Sequence, residues 1–199
     1  MIDVAPIELE METCYIRCTS PTVGYLNEKR WCLIDPILSP VRSCIKVQSQ
    51  PVMQAMNEVI MEVMGKAKNG VIMGVMEKAK NGVISFTSPL RDGRSFLKVD
   101  EENGRLYWIY WISDEVHDIY SEIATFKLFP IANSKNSIAP STVIAEKEDS
   151  EEQQIVRAVI RCEENGMFVR VKLDEQKEFY VFANEPDYFK GTEFIIEPR

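Results

Sequence analysis

Hydrophobic and polar positions change rhythm several times along the chain. In the first fifty residues the apolar side chains fall in short β-prone runs, Thr13 to Cys18 and Trp31 to Ile34, and Ser43 to Gln48 alternates polar with apolar. A period of two marks a strand with one buried face. Ser20-Pro21, Asp35-Pro36 and Ser39-Pro40 punctuate these runs, because the residue before a proline is pushed out of the helical region. From Pro51 the period lengthens. Val52, Met56, Val59, Ile60 and Val63 recur at three- and four-residue steps and form one apolar stripe, which predicts a connecting helix over 51–81. Pro51 suits its first turn, Lys66 and Lys68 suit the negative end of the dipole, and Asn69-Gly70 suits a left-handed cap.

Inside that stretch VMGKAKNGVI (63–72) returns as VMEKAKNGVI (75–84), a period of 12 with one mismatch. Twelve helical residues turn a face by roughly 120°, so both copies cannot bury the same side of one straight helix. Two copies are also too few for a solenoid. The repeat reads as a local tandem duplication in a tolerant segment.

Beyond Gly82 the rhythm returns to β. Val83 to Thr87, Ser95 to Val99, Leu106 to Ile112 and Val116 to Tyr120 are strand candidates, separated by turns at Pro89 to Gly93, Asn103-Gly104 and Ser113 to Glu115. Asn-Gly between two strand patterns is a strong hairpin signal. Residues 131–150 are polar and end in an acidic run, as a linker or exposed crossover would. A second β block follows at Val156 to Cys162, Met167 to Leu173 and Phe179 to Phe182, with a last short strand at Glu193 to Ile196. Its first hairpin turns on Glu-Glu-Asn-Gly (163–166), the same tetrapeptide as 101–104, which predicts two hairpins of similar geometry.

Composition narrows the function classes. The 199 residues carry 31 acidic against 23 basic side chains, a formal charge of -8, which opposes a broad nucleic-acid footprint. His117 is the one histidine, so a multi-histidine metal site is excluded and a Ser-His or Cys-His mechanism hangs on one residue. Five cysteines, Cys14, Cys18, Cys32, Cys44 and Cys162, are odd in number and irregular in spacing, which favours reduced thiols in half-buried core positions. Met1 to Pro6 lacks a basic n-region, so no signal peptide is expected. No apolar run approaches the roughly 18 residues of a spanning helix. A cytoplasmic protein without cofactor or metal is expected.

The block 82–130, GVISFTSPLRDGRSFLKVDEENGRLYWIYWISDEVHDIYSEIATFKLFP, resembles a Tudor domain: an opening strand, the Asp92-Gly93 turn, a strand, a hairpin, an aromatic strand and a closing Leu-Phe-Pro. Strands and a helix before it and strands after it resemble the extended Tudor arrangement. That resemblance implies a mainly β, α+β fold in which an SH3-like Tudor barrel is inserted into a staphylococcal-nuclease-like OB fold. On that reading 1–50 and 151–199 form the nuclease-like half, 51–81 the helix, 82–130 the barrel and 131–150 the linker. A competing division makes 151–199 a second small barrel.

The resemblance also implies a function: a non-catalytic scaffold for protein partners in small-RNA silencing, in the cytoplasm or a perinuclear germ granule. Its partners would be proteins or peptides, arginine-rich or carrying methylated arginine. Tudor domains hold a methylated cation in an aromatic cage by cation–π attraction. The family's cage positions fall on Phe86, Phe96 and either Tyr110 or Trp111, with Asp114 or Glu115 left to attract a cation. The family's Asp-Tyr-Gly-Asn turn is replaced by Ser113-Asp114-Glu115-Val116, so its tyrosine and asparagine are missing and the cage is degenerate. The same aromatics also suit a small barrel core. The alternative function is an OB-fold protein binding single-stranded nucleic acid through stacked aromatics. Nuclease chemistry needs convergent carboxylates and arginines, whereas Asp35, Arg42, Asp174 and Glu175 are scattered without a motif.

Overall fold

The computed structural model describes residues 4–29, 32–49, 82–90, 95–110, 123–131, 142–144 and 154–199. The helix expected over 51–81 lies outside them, as do Trp31, Trp111, Asp114, His117 and the strand expected at Val116 to Tyr120. Among the described residues no helix is long and apolar enough to cross a membrane. What is described is mainly β, and its strand pairs are antiparallel.

Four strands come from the N-terminal segment: β1 (Thr13–Cys18), β2 (Gly24–Asn27), β3 (Leu33–Asp35) and β4 (Cys44–Ser49). The middle block supplies β5 (Ile84–Ser88), β6 (Ser95–Val99), β7 (Leu106–Tyr110) and β8 (Phe126–Pro130). Then follow β9 (Thr142–Ile144), β10 (Gln154–Cys162), β11 (Phe168–Leu173), β12 (Phe179–Glu185), a 3-10 turn η1 (Tyr188–Lys190) and β13 (Phe194–Pro198). The stretch expected to be a polar linker therefore contributes a short strand, β9, on the outer end of β10.

Pairing runs β11-β12-β3-β2-β1-β13-β10, and β10 pairs back onto β11, so seven strands close a ring drawn from both ends of the chain. A long β10 pairs with β13 and β8 along its length, besides β9 and β11. Val156 to Ala158 pair with β13, while Ala158 to Cys162 pair with β8. From β8 the sheet continues through β5 to β6 and β7, and β4 bridges β1 to β5.

Alternation explains the core. In β1 Cys14, Ile16 and Cys18 point inward with no exposure while Thr13, Tyr15 and Arg17 point outward. β5 differs, since all five of its residues are buried. It lies between β4 and β6 and is covered on both faces, which is why Ser85, Thr87 and Ser88 are buried beside Ile84 and Phe86. A single apolar cluster extends from Cys14 and Ile16 through Phe86, Leu97 and Phe126 to Val181 and Phe194. Each fully buried Phe or Leu in it contributes about 1.5–3 kcal/mol of transfer free energy.

The two Glu-Glu-Asn-Gly hairpins share their chemistry as expected. Gly104 N–H donates to Asp100 O at 2.8 Å and Gly166 N–H to Cys162 O at 2.9 Å. Asn103 Oδ1 accepts from Arg105 N, and Asn165 Oδ1 from Met167 N. Both glycines take positive φ, +75° and +70°, where a side chain is strained. Both turns reach Ala183 of β12, the second through Asn165 Nδ2, which donates to Ala183 O at 2.8 Å, but only the first brings its glycine against it. A Cβ on Gly104 would sit 2.5 Å from Ala183 O, whereas one on Gly166 would meet nothing. That close approach lets Ala183 N–H donate to Gly104 O and fastens the β6–β7 hairpin onto β12.

Candidate functional site

Register decides where the expected cage residues stand. Thr87 pairs with Phe96, and Phe96 with Ile109, so these three share one face of the β5-β6-β7 sheet. Phe86 is one residue away from Thr87 and therefore faces the other side, with Leu97 and Trp108. On that side it is 2% exposed and packs on Phe126 with ring centroids 5.2 Å apart. The structure thus does not bring Phe86 and Phe96 to one pocket. Phe86 fills the core, Phe96 is half-buried on the opposite face, and Trp111 and Asp114 fall outside the described residues.

Tyr110 is different. It is 43% exposed, and its register partner across the strands is Ser95. Residues directly opposite in an antiparallel pair project from the same face, so the phenol and the Ser95 hydroxyl lie side by side. Ser95 Oγ in turn donates to Glu28 Oε1 at 3.3 Å, and the Glu28 residue is only 7% exposed. Glu28 follows β2 and is held by its backbone, its N–H donating to Arg42 O at 2.9 Å. One residue earlier, Asn27 O accepts from Trp108 Nε1 at 3.1 Å. The end of β2 is thereby pinned against the first residue of β6 and the last of β7, and a carboxylate, a hydroxyl and an exposed aromatic converge there.

Electrostatics around this seam are set by a second carboxylate. Asp35 is held below the usual carboxylate range, first by the N–H of Ile37 and then by Lys29 and Asn27. It is already satisfied, by Ile37 N–H in its own loop and by Asn27 and Lys29 at and just past the end of β2. Glu28 is not in that position: a carboxylate can accept about four hydrogen bonds, and among the described residues Ser95 is its side-chain partner. The arrangement can therefore receive a guanidinium or ammonium group, with Glu28 accepting its N–H groups and Tyr110 offering a π face.

Sequence reasoning put Tyr110 or Trp111 in a cage with Phe86 and Phe96 and did not single out Glu28 or Ser95. Neither stands in a local motif, and Glu28 lies 67 positions from Ser95. The one available signal was the register of the Ser95-to-Val99 strand against the aromatic strand, which sets Ser95 beside Tyr110. Of the nuclease candidates, Arg42 meets Glu28 through its backbone carbonyl and Asp35 is bound by Asn27 and Lys29, the residues on either side of Glu28, whereas Asp174 stands elsewhere. Asp174 is consumed in the β11–β12 turn, accepting from Gln176 and Glu178 N–H. No protein-family model and no curated protein sequence matches the chain.

Proposed function

We propose that this chain is a non-catalytic protein–protein interaction module of the extended Tudor type, which docks a basic, arginine-rich segment of a partner. The observation that carries the reading is the buried Glu28 carboxylate beside the first residue of β6 and the last of β7, hydrogen-bonded to Ser95 and flanked by the exposed Tyr110. Its support is chemical: a carboxylate beside an aromatic ring favours a planar cation over a neutral or acidic ligand. The interleaving of N- and C-terminal strands around the middle block supports the nuclease-like half enclosing an SH3-like barrel. In this reading the module scaffolds small-RNA silencing factors in the cytoplasm, at a perinuclear granule, and needs no cofactor.

With Phe86 in the core and Phe96 on the other face, these two rings leave no cage to strip water from methyl groups. Arginine is then read by its charge and plane, and methylation adds little. Calorimetric titration of an arginine-glycine peptide, unmodified and symmetrically dimethylated, tests this. Both peptides are expected to bind in the micromolar range within about threefold of each other, and Glu28→Gln to weaken both about tenfold, the size of one charge-assisted hydrogen bond. Absence of binding at millimolar peptide, or binding indifferent to Glu28→Gln, overturns the reading.

A further inference from the structure

A second feature lies apart from the Glu28 seam. Four aliphatic side chains project into solvent around the loop between β3 and β4: Ile37 at 74% exposure, Val41 at 53%, Leu38 at 40%, and Val23 at 64%. Ile37, Leu38 and Val41 lie in the loop itself, and Val23 stands just before β2, whose Tyr25 pairs with Asp35 at the loop's start. The loop is not loose. Asp35 Oδ1 accepts from Ile37 N–H, Ser43 Oγ from Ser39 N–H, and Ser39 Oγ from Arg42 N–H, while Ser43 N–H donates to Ser39 O. Pro36 and Pro40 stiffen it further. A pre-ordered loop that holds aliphatic groups in water loses little entropy on docking, and such a patch marks a contact surface. Its one outward charge is Arg42, because the Asp35 carboxylate is held by Ile37 N–H, Asn27 and Lys29.

The complement lies on the same molecule. A cavity of about 530 Å³ opens between the two Glu-Glu-Asn-Gly hairpins, with Val99 and Ala124 in its lining, the carboxylates of Asp100, Glu101 and Glu164 around it and Lys98 beside them. Asp100 and Glu164 are tied to backbone N–H groups of Glu102 and Thr125, which leaves Glu101 the outward acid. Loop and cavity sit at opposite ends of β6. Arg42 O is bonded to Glu28 N, and Glu28 to Ser95 at the start of the strand, whereas Val99 and Asp100 lie at and just past its end. Five residues of strand separate them by about 17 Å, so the anchored loop cannot fill its own cavity.

We propose that this chain associates head to tail with itself, the Ile37 to Arg42 loop of one copy entering the acid-rimmed cavity of the next. Arg42 meets Glu101, and the aliphatic tip enters the mouth of the cavity. A contact between two different surfaces does not close at two copies unless the rotation happens to allow it, and it propagates into chains or rings. That is a means of concentrating whatever the Glu28 seam holds, yet it stands independently of that site.

Sedimentation velocity on the whole chain tests the pairing, over about 5 to 500 µM, the range of weak transient contacts. The average mass of the wild-type is expected to rise with concentration past that of a dimer, and to fall back in high salt. Ile37→Asp and Glu101→Lys alter exposed positions and are expected to keep the wild-type melting temperature. Each alone remains monomeric, and an equimolar mixture of the two forms a one-to-one dimer and nothing larger, since one intact loop and one intact cavity remain. A wild-type monomer at the highest concentration, variants that assemble like the wild-type, or a mixture that does not pair would overturn the proposal.

Discussion

The guanidinium of Arg105 lies over the ring of Tyr180, 3.6 Å from its centroid, and so ties the start of β7 to β12. The same residue bridges to Phe182 through its backbone, and Cys32 N–H donates to Leu106 O beside it. Together with the Gly104–Ala183 contact this makes the β6–β7 hairpin continuous with the seven-stranded ring. A cation over an aromatic ring in a partly buried setting contributes about 0.5–2 kcal/mol. Replacing Arg105 by Ala is therefore expected to lower the urea-unfolding free energy by about 1–2 kcal/mol. A double-mutant cycle with Tyr180→Leu should return a coupling in the same range. A coupling near zero would show that the stacking is incidental.

Phe86 and Tyr110 were candidates for one ligand pocket on sequence grounds, and the fold separates their roles. Phe86→Ala removes a ring that is 2% exposed and packed on Phe126, so it is expected to cost about 3–5 kcal/mol of stability. Tyr110→Ala removes an exposed ring and should cost less than about 1 kcal/mol while weakening peptide binding. Chemical denaturation of the two variants side by side, each followed by peptide titration, distinguishes core from site. A stable Phe86→Ala variant with lost binding would reverse the assignment.

Strand placement was legible where a strand has one wet face. Thr13–Cys18 and Ser95–Val99 alternate cleanly and were bounded as the structure has them. Gly24–Asn27 and Phe126–Pro130 were not recognised as strands, because each is buried at three of its positions and the alternation is lost. Hairpin turns were legible because Asn-Gly has one reason to recur, a residue at positive φ preceded by a side chain that caps the turn. The site was less so. Whether Phe86 and Phe96 share a face is settled by parity along two strands, and the Tudor pattern carries aromatic type and spacing but not that parity. Glu28 meets Ser95 only through the closure of the ring against the hairpin, a long-range relation that no local window contains.

Alkaline pH should find the thiols. Burial pushes Cys14 up to about 12 (with a smaller push from Cys44), Cys18 to about 11 and Cys162 to about 12, the last also raised by Glu164. Cys32, wholly buried, is pushed up as well. An unfolded cysteine loses its proton near 8.5–9, so between there and about 11 the native state binds more protons than the unfolded state. Stability is fully present below pH 8.5 and falls as pH rises through that window. Urea midpoints at pH 7, 9 and 10.5 should decline in that order, and a thiol reagent at pH 8 should leave native Cys14, Cys32 and Cys162 unmodified until denaturant is added. Rapid labelling of these thiols in the folded protein would show that their burial is transient.

Single-stranded RNA is the ligand that most directly opposes a protein-docking role. Tight binding to a phosphate backbone needs cations free to displace counterions. Among the described residues four arginines are matched instead: Arg17 with Glu197 at 2.6 Å, Arg157 with Glu193 at 2.5 Å, Arg161 with Glu163 at 3.0 Å and Arg170 with Glu185 at 2.9 Å. Lys127 also faces Glu163, at 3.8 Å. A phosphate approaching any of these must compete with a carboxylate already in place, and the chain as a whole carries -8. Fluorescence anisotropy of a labelled uridine-rich oligonucleotide is therefore expected to show no saturation up to about 100 µM protein in about 0.15 M salt, weaker than ordinary specific binding by orders of magnitude. Reversing charge at Glu193 and Glu197 to Lys should create weak, salt-sensitive binding by releasing Arg157 and Arg17. Saturable micromolar binding by the wild-type, with a steep salt slope, would instead establish a basic track on this surface and favour the single-strand reading over peptide docking.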